Sequence, residues 1–176
     1  MNTSPSQREL LLRARRGDEG AARALWQAMA PRMLAYAAML AGSADAQDIV
    51  QGVFMRALRA RRRDLARIDD GAAYLLGATR NEAMNTLRAR NRRHAHESAA
   101  PPAPAISAPA DDALLKALSA LPEPQREAVW LRHGAGLTFD QLALALDLPR
   151  STAASRYQAG VSALRAALRE KEPTHA

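Results

Sequence analysis

Leu137–Leu168, LTFDQLALALDLPRSTAASRYQAGVSALRAAL, decides the fold of the C-terminal part of this chain. Thr138 and Gln141 stand three residues apart, the spacing of a capping box, so a helix is expected to start there. It is short, about 139–146, because Asp147-Leu148-Pro149-Arg150 reads as a turn. Ser151 is then expected to cap a longer helix over about 152–170. A short helix, a tight turn and a longer helix make a helix-turn-helix candidate. On the longer helix Ala153, Tyr157, Val161, Leu164 and Leu168 recur at inward spacing. That leaves Thr152, Ala154, Ser155, Arg156 and Gln158 outward near its N-terminus. Arg can read guanine and Gln adenine in a major groove. The Ser151 and Thr152 hydroxyls beside a helix N-terminus suit phosphate. The same pattern also fits a plain helical hairpin on a bundle surface.

Upstream, two more helices are expected. One spans about 111–120 and stops at Leu121-Pro122. The next spans about 124–133, with Pro124 in its first turn, and breaks at Gly134 and Gly136. Before these lies Ser98–Ala110, SAAPPAPAISAPA, with four prolines. Proline has no backbone donor and disfavours helix in its predecessor. Residues 97–110 therefore read as a flexible Pro/Ala-rich linker between a unit at 6–96 and a unit at 111–171.

The N-terminal unit reads as four helices. Ser6 caps the first, which Gly17 stops; the second runs from about Asp18 to Ala41, kinked at Pro31. Ser43 is expected to cap the third, about 44–60, on which Ile49, Val50, Val53, Phe54 and Leu58 form one apolar stripe. A basic loop, Arg61-Arg62-Arg63, leads to the fourth helix, about Gly71 to Arg93, with Leu75, Leu76, Thr79, Ala83 and Leu87 inward.

Composition agrees with an all-α chain. The 176 residues are 48% hydrophobic but only 4% aromatic, so the core must be built from Leu, Ala, Val and Met. The net charge is +7 and is unevenly placed. Residues 1–110 carry 17 Lys+Arg against 10 Asp+Glu, whereas residues 111–176 carry 8 against 8. The basic excess suggests a polyanionic partner for the first unit; an Arg-rich solvated surface would give the same count. Cysteine is absent, which excludes disulfides and thiolate chemistry and suits a reducing cytoplasm. The start, MNTSPSQREL, has no apolar signal core, and Leu34 to Ala41, the longest apolar run, is too short to insert in a membrane. His94, His96, His133 and His175 have no metal-helix spacing with acids, and neither a Gly-rich phosphate loop nor a nucleophile elbow is present. The expectation is a chain that is not an enzyme and takes no cofactor.

These segments resemble a known family. Leu118–Leu168 looks like the sigma-four domain of extracytoplasmic-function sigma factors of the sigma-70 family. It shows the LP..QRE start at Leu121, Pro122, Gln125, Arg126 and Glu127, the break at Gly136, Leu137 and Thr138, and Thr152, Ser155 and Arg156 on the last helix. Ala30–Leu58, APRMLAYAAMLAGSADAQDIVQGVFMRAL, resembles the core-binding stretch of the sigma-two domain. Tyr74–Arg93, YLLGATRNEAMNTLRARNRR, resembles its promoter-melting helix. The resemblance implies two small helical domains: a sigma-two-like bundle and a sigma-four-like helix-turn-helix. It implies a bacterial RNA polymerase sigma factor, cytoplasmic, that directs promoter recognition and transcription initiation. The partners implied are core RNA polymerase through its beta-prime and beta subunits, promoter DNA and an anti-sigma factor.

By the same resemblance, Asp45, Asp48, Ile49, Gln51, Phe54 and Met55 would meet core polymerase. The minus-10 DNA would meet Arg61, Arg62, Arg63, Tyr74, Arg80, Asn81, Asn85 and Arg88. The minus-35 DNA would meet Arg150, Ser151, Thr152, Ser155, Arg156 and Gln158. Acidic residues in a first helical turn, such as Asp45, also complement the helix dipole. The chain departs from the family pattern in places. Gln47 and Gly52 stand where Glu is usual, Tyr74 where Trp is frequent, Asn85 where Asp is common, and Ala154, Ala159 and Val161 at frequently basic positions. These departures keep open a sigma-like regulator with reduced promoter activity.

Limited proteolysis tests the organisation: a low protease dose should cut within residues 98–110 and leave two helical fragments. A chain resistant there would mean that the two units protect the linker.

Overall fold

The computed structural model describes residues 5–60, 68–97 and 112–169, and these are helical apart from short connections. The chain divides into two compact units, Met1–Ala105 and Ile106–Ala176. The expected linker, Glu97 apart, lies outside the described residues.

In the first unit α1 spans Gln7–Ala14, α2 Glu19–Ala41, α3 Ser43–Arg59 and α4 Gly71–Glu97. Ser6 caps α1 as expected, its hydroxyl accepting from the Glu9 N–H at 3.2 Å. Asp18 caps α2, and its carboxyl lies below the usual carboxylate range because it accepts first from the Ala21 N–H and then from Arg13. The helix runs through Pro31 without a break. Its end differs from expectation. Gly42, at φ +94°, both closes α2 and opens α3, so Ser43 is already helical and caps nothing. Glycine takes that backbone conformation without steric cost, which compresses the corner to one residue.

α2 is the centre of this unit and packs against α1, α3 and α4. Leu25, Met29, Met33, Tyr36 and Ala37 on it are fully buried. Phe54 of α3 meets the edge of Trp26 at 4.9 Å between ring centres. The inward face of α3 is Ala46, Ile49, Val50, Val53, Phe54 and Ala57; Leu58, expected in the stripe, is only half-buried. α4 buries Leu75, Leu76, Thr79 and Ala83, with the Thr79 hydroxyl donating to the Leu75 carbonyl. Its first turn lies against α1: a Cβ on Gly71 would stand 2.6 Å from the Arg8 nitrogen. From α1, Arg15 donates to the Ala60 carbonyl and Arg8 to the Ile68 carbonyl, which fixes the described residues on either side of 61–67. Arg61, Arg62 and Arg63 themselves lie outside the described residues.

In the second unit α5 spans Asp112–Ala120, α6 Glu123–His133, α7 Phe139–Leu146 and α8 Arg150–Arg169. The capping box is formed: the Thr138 hydroxyl accepts from the Gln141 N–H at 3.2 Å, and the Gln141 side chain accepts from the Thr138 N–H at 2.8 Å. Asp147 turns the chain at φ +53°, a left-handed conformation that Asp tolerates. The start of α8 departs from expectation. The Ala153 N–H bonds the Pro149 carbonyl at 3.0 Å, so Pro149 holds the cap position and Ser151 sits inside the first turn. The first helical bond already closes on that carbonyl, which leaves the Ser151 hydroxyl no capping role.

α8 packs on α5, α6 and α7 around Ala117, Leu121, Val129 and Leu164. Gly160 sets how near α8 comes to α6. A Cβ there would stand 2.7 Å from Val129 Cγ2 and 3.1 Å from the Gln125 carbonyl oxygen.

Two helical glycines should therefore respond with opposite sign. Gly52 is half-buried, and a Cβ there would meet only the end of the Arg56 side chain, at an ordinary contact distance of 3.5 Å. Gly52→Ala should stabilise the first unit by about 1 kcal/mol through helix propensity alone. Gly160→Ala gains the same term but overpacks a stiff valine and a backbone oxygen, which costs about 1–3 kcal/mol, and Gly160→Leu costs more. Urea unfolding of the two single variants checks the pair. Equal signs would contradict the packing described.

Candidate polymerase and nucleic-acid interfaces

Three helical surfaces carry the residues singled out by sequence. The first is the outer side of α3. Asp48, Gln51 and Met55 are exposed and share a face at three- and four-residue spacing, with Met55 45% exposed. One open apolar side chain is ordinary on a surface, so this face is singled out by the resemblance and not by its exposure. Ile49 and Phe54 do not belong to this surface. They are 4% and 7% exposed and hold α3 to the rest of the bundle, so these two residues, expected at the polymerase contact, are core. Asp45 stands on the flank of this face, half-buried, with its carboxylate 3.7 Å from the Arg90 guanidinium. Arg56 is drawn sideways to Glu82 of α4 at 2.7 Å.

The second surface is the outer side of α4. Tyr74, Asn81, Asn85 and Arg88 fall on one row by helical spacing. Asn81, Asn85 and Arg88 are exposed and Tyr74 is half-buried. Arg88 donates to the Asn85 side chain at 3.1 Å, so a cation and two amides form a continuous polar strip. Arg80 lies off this row: adjacent helical residues are about 100° apart, and Arg80 is half-buried at the edge of the packed face. A cation with amide groups and one aromatic ring can hold phosphates and stack or bond unpaired bases.

The third surface is the N-terminal half of α8, presented after the turn from α7. Ser151, Ser155 and Gln158 are exposed together. The Ser155 hydroxyl donates to the Ser151 carbonyl at 2.9 Å, leaving its lone pairs outward. Thr152 and Arg156 stand on the flank of this face, half-buried. Arg150 is engaged with Asp140 at 2.9 Å and lies 6.0 Å over the Phe139 ring. Both charges of that pair are well exposed, so it gives way readily to a phosphate. Behind the face, Tyr157 fixes α8 through an edge contact with Phe139 and a 2.9 Å hydrogen bond with His133.

Sequence reasoning missed two residues that shape these surfaces. Gly160 sets the seat of α8. Arg90 bridges α4 to the α2–α3 corner. A signal for Arg90 was present: it follows Ala83 by seven residues and so continues the inward row with a cation. Among the described residues no group of acids and histidines could hold a metal ion, and no helix is long and apolar enough to cross a membrane.

The family model described as Sigma-70 region 2 matches residues 25–93, and that described as Sigma-70, region 4 matches residues 111–164. No curated protein matches the chain. Among solved structures, CnrH in complex with the cytosolic domain of CnrY aligns with a TM-score of 0.68 at 20% identity, covering 95% of this chain and 99% of that one. The sigma factor RpoE of Bartonella quintana, in complex with the anti-sigma factor NepR, aligns with a TM-score of 0.63 at 25% identity, covering 80% and 92%. The first of these speaks to the fold. Region 2, carrying the α3 and α4 surfaces, is followed by region 4, carrying the helix-turn-helix, and together they place the chain in the sigma-70 family, as a sigma factor of the two-domain extracytoplasmic-function type.

Proposed function

We propose that this chain directs core RNA polymerase to promoters and starts transcription there, with its labour divided among the three surfaces. The observation that carries the reading is the order of the two matched regions, with each surface exposed on its own helix. Asp48, Gln51 and Met55 take core polymerase. Asn81, Asn85 and Arg88, with Tyr74 and the Arg61–Arg63 segment, take the separated strands of the minus-10 element. Ser151, Ser155 and Gln158, flanked by Thr152 and Arg156 and anchored by Arg150, take the minus-35 duplex.

Charge supports this division. Phosphate neutralisation dominates affinity for DNA, and all of the basic excess lies in residues 1–110. The neutral second unit supplies sequence preference rather than affinity. Its attachment to polymerase then supplies the effective concentration it needs. An anti-sigma factor is a fitting further partner, since the RpoE neighbour was solved with one. The chain works where polymerase works, in the cytoplasm, and no reaction chemistry is assigned to it.

Two variants test the division. Asp48→Arg should weaken association with core polymerase at least about tenfold, the equivalent of 1.4 kcal/mol, while helix content stays intact. Gln158→Ala should leave core affinity unchanged and lower transcription from a minus-35-dependent promoter about tenfold, as expected for one lost base contact. Unchanged core affinity in Asp48→Arg would remove α3 from the interface. Core binding without specific transcription by the wild-type chain would favour a sigma-like regulator.

A further inference from the structure

We propose that Arg90 is a positioning residue: from α4 it clamps the α2–α3 corner and so fixes the DNA-facing row of α4 relative to the polymerase-facing row of α3. The inference rests on the division of surfaces proposed above.

Arg90 is half-buried on the inward side of α4, its side chain 23% exposed. Its Nη1 donates to the Ala41 carbonyl at 3.1 Å. Ala41 ends α2, where carbonyls have no partner within the helix and the dipole favours a cation. The same nitrogen stands 3.7 Å from the Asp45 carboxylate, in the first turn of α3. One guanidinium thus touches the end of one helix and the beginning of the next, from a third. Its Nε is buried with no hydrogen-bond partner. An unsatisfied buried donor is costly, and an apolar side chain would cover the same ground without it. The cation is therefore explained by what its other nitrogen holds.

A second link gives the clamp direction. Arg56 of α3 pairs with Glu82 of α4 at 2.7 Å. Residue 45 faces residue 90 and residue 56 faces residue 82, so the two helices run antiparallel and are tied at two separated levels. A slide of one helical turn, about 5.4 Å, would break both ties. Positions two apart on a helix differ by about 200°, so an inward Arg90 holds Arg88 outward, together with Asn85. Asp45 is then part of the clamp, and Asp48 is the acidic group on the open face of α3.

The test uses the full chain, core polymerase at saturation and a promoter that the wild-type holoenzyme transcribes. Arg90→Met, Arg90→Lys and Asp45→Asn are compared for unfolding in urea, core affinity and promoter opening followed by permanganate reactivity. At saturating core, Arg90→Met should open the promoter at least about fivefold less, with core affinity unchanged and Arg90→Lys between the two. Normal opening by Arg90→Met overturns the proposal. So does a loss of opening matched by an equal loss of core affinity, which marks a merely structural role. If Arg90→Met does not fold, Asp45→Asn decides: reduced opening with intact core binding supports the clamp, and normal opening overturns it. Failure of the underlying reading shows separately, because the wild-type chain itself would then fail to bind core or, once bound, fail to open DNA.

Discussion

Close approach of helix backbones is the constraint on which the rest of this molecule depends. Only 4% of the residues are aromatic, so few large rings are available to fill gaps between helices. The core closes instead by bringing Ala, Leu, Met and Val faces together, and at two places by leaving out the side chain. Gly71 lets α4 start against the backbone of α1, and Gly160 lets α8 lie on Val129 and the Gln125 carbonyl. Interiors packed at crystal-like density transmit small shifts rather than absorbing them. The orientation of each outward row is therefore set by these inward contacts.

That rigidity is what the three proposed surfaces would need. Each is a short row of side chains on the open side of a helix whose other side is packed. The α3 row joins an exposed Met55 to an exposed Asp48, the α4 row is polar and cationic, and the α8 row is polar and neutral. Contacts of this kind add up only if all members of a row reach the partner together. A rotation of a helix by even one residue position would exchange Asn81 for Arg80, or Gln158 for Tyr157, on the presented face.

Short-range features were legible in the sequence because their partners are a few residues away. The Thr138–Gln141 box, the Ser6 cap and the turn at Asp147 all formed as read. Two caps were misplaced for a local reason: Gly42 and Pro149 closed the turn one or two residues earlier than Ser43 and Ser151 could. The proposed interfaces are carried by segments that spacing can locate, but spacing does not give their faces. Ile49 and Phe54 carry the helical spacing of an apolar stripe, and spacing does not say whether a stripe meets its own domain or a partner. Arg156, expected outward, is half-buried, and Arg80, expected on DNA, lies about 100° off the row of Asn81. Arg90 and Gly160 act across 49 and 31 positions of chain, on Ala41 and Val129, and that reach hid them.

Single-round run-off transcription of genomic fragments, with purified chain and core polymerase, decides whether this chain starts transcription at promoters. Transcripts are expected from a few discrete start points that core enzyme alone does not make. Stable binding of the chain to core polymerase, with no start point above that background on any fragment, would contradict the proposed function.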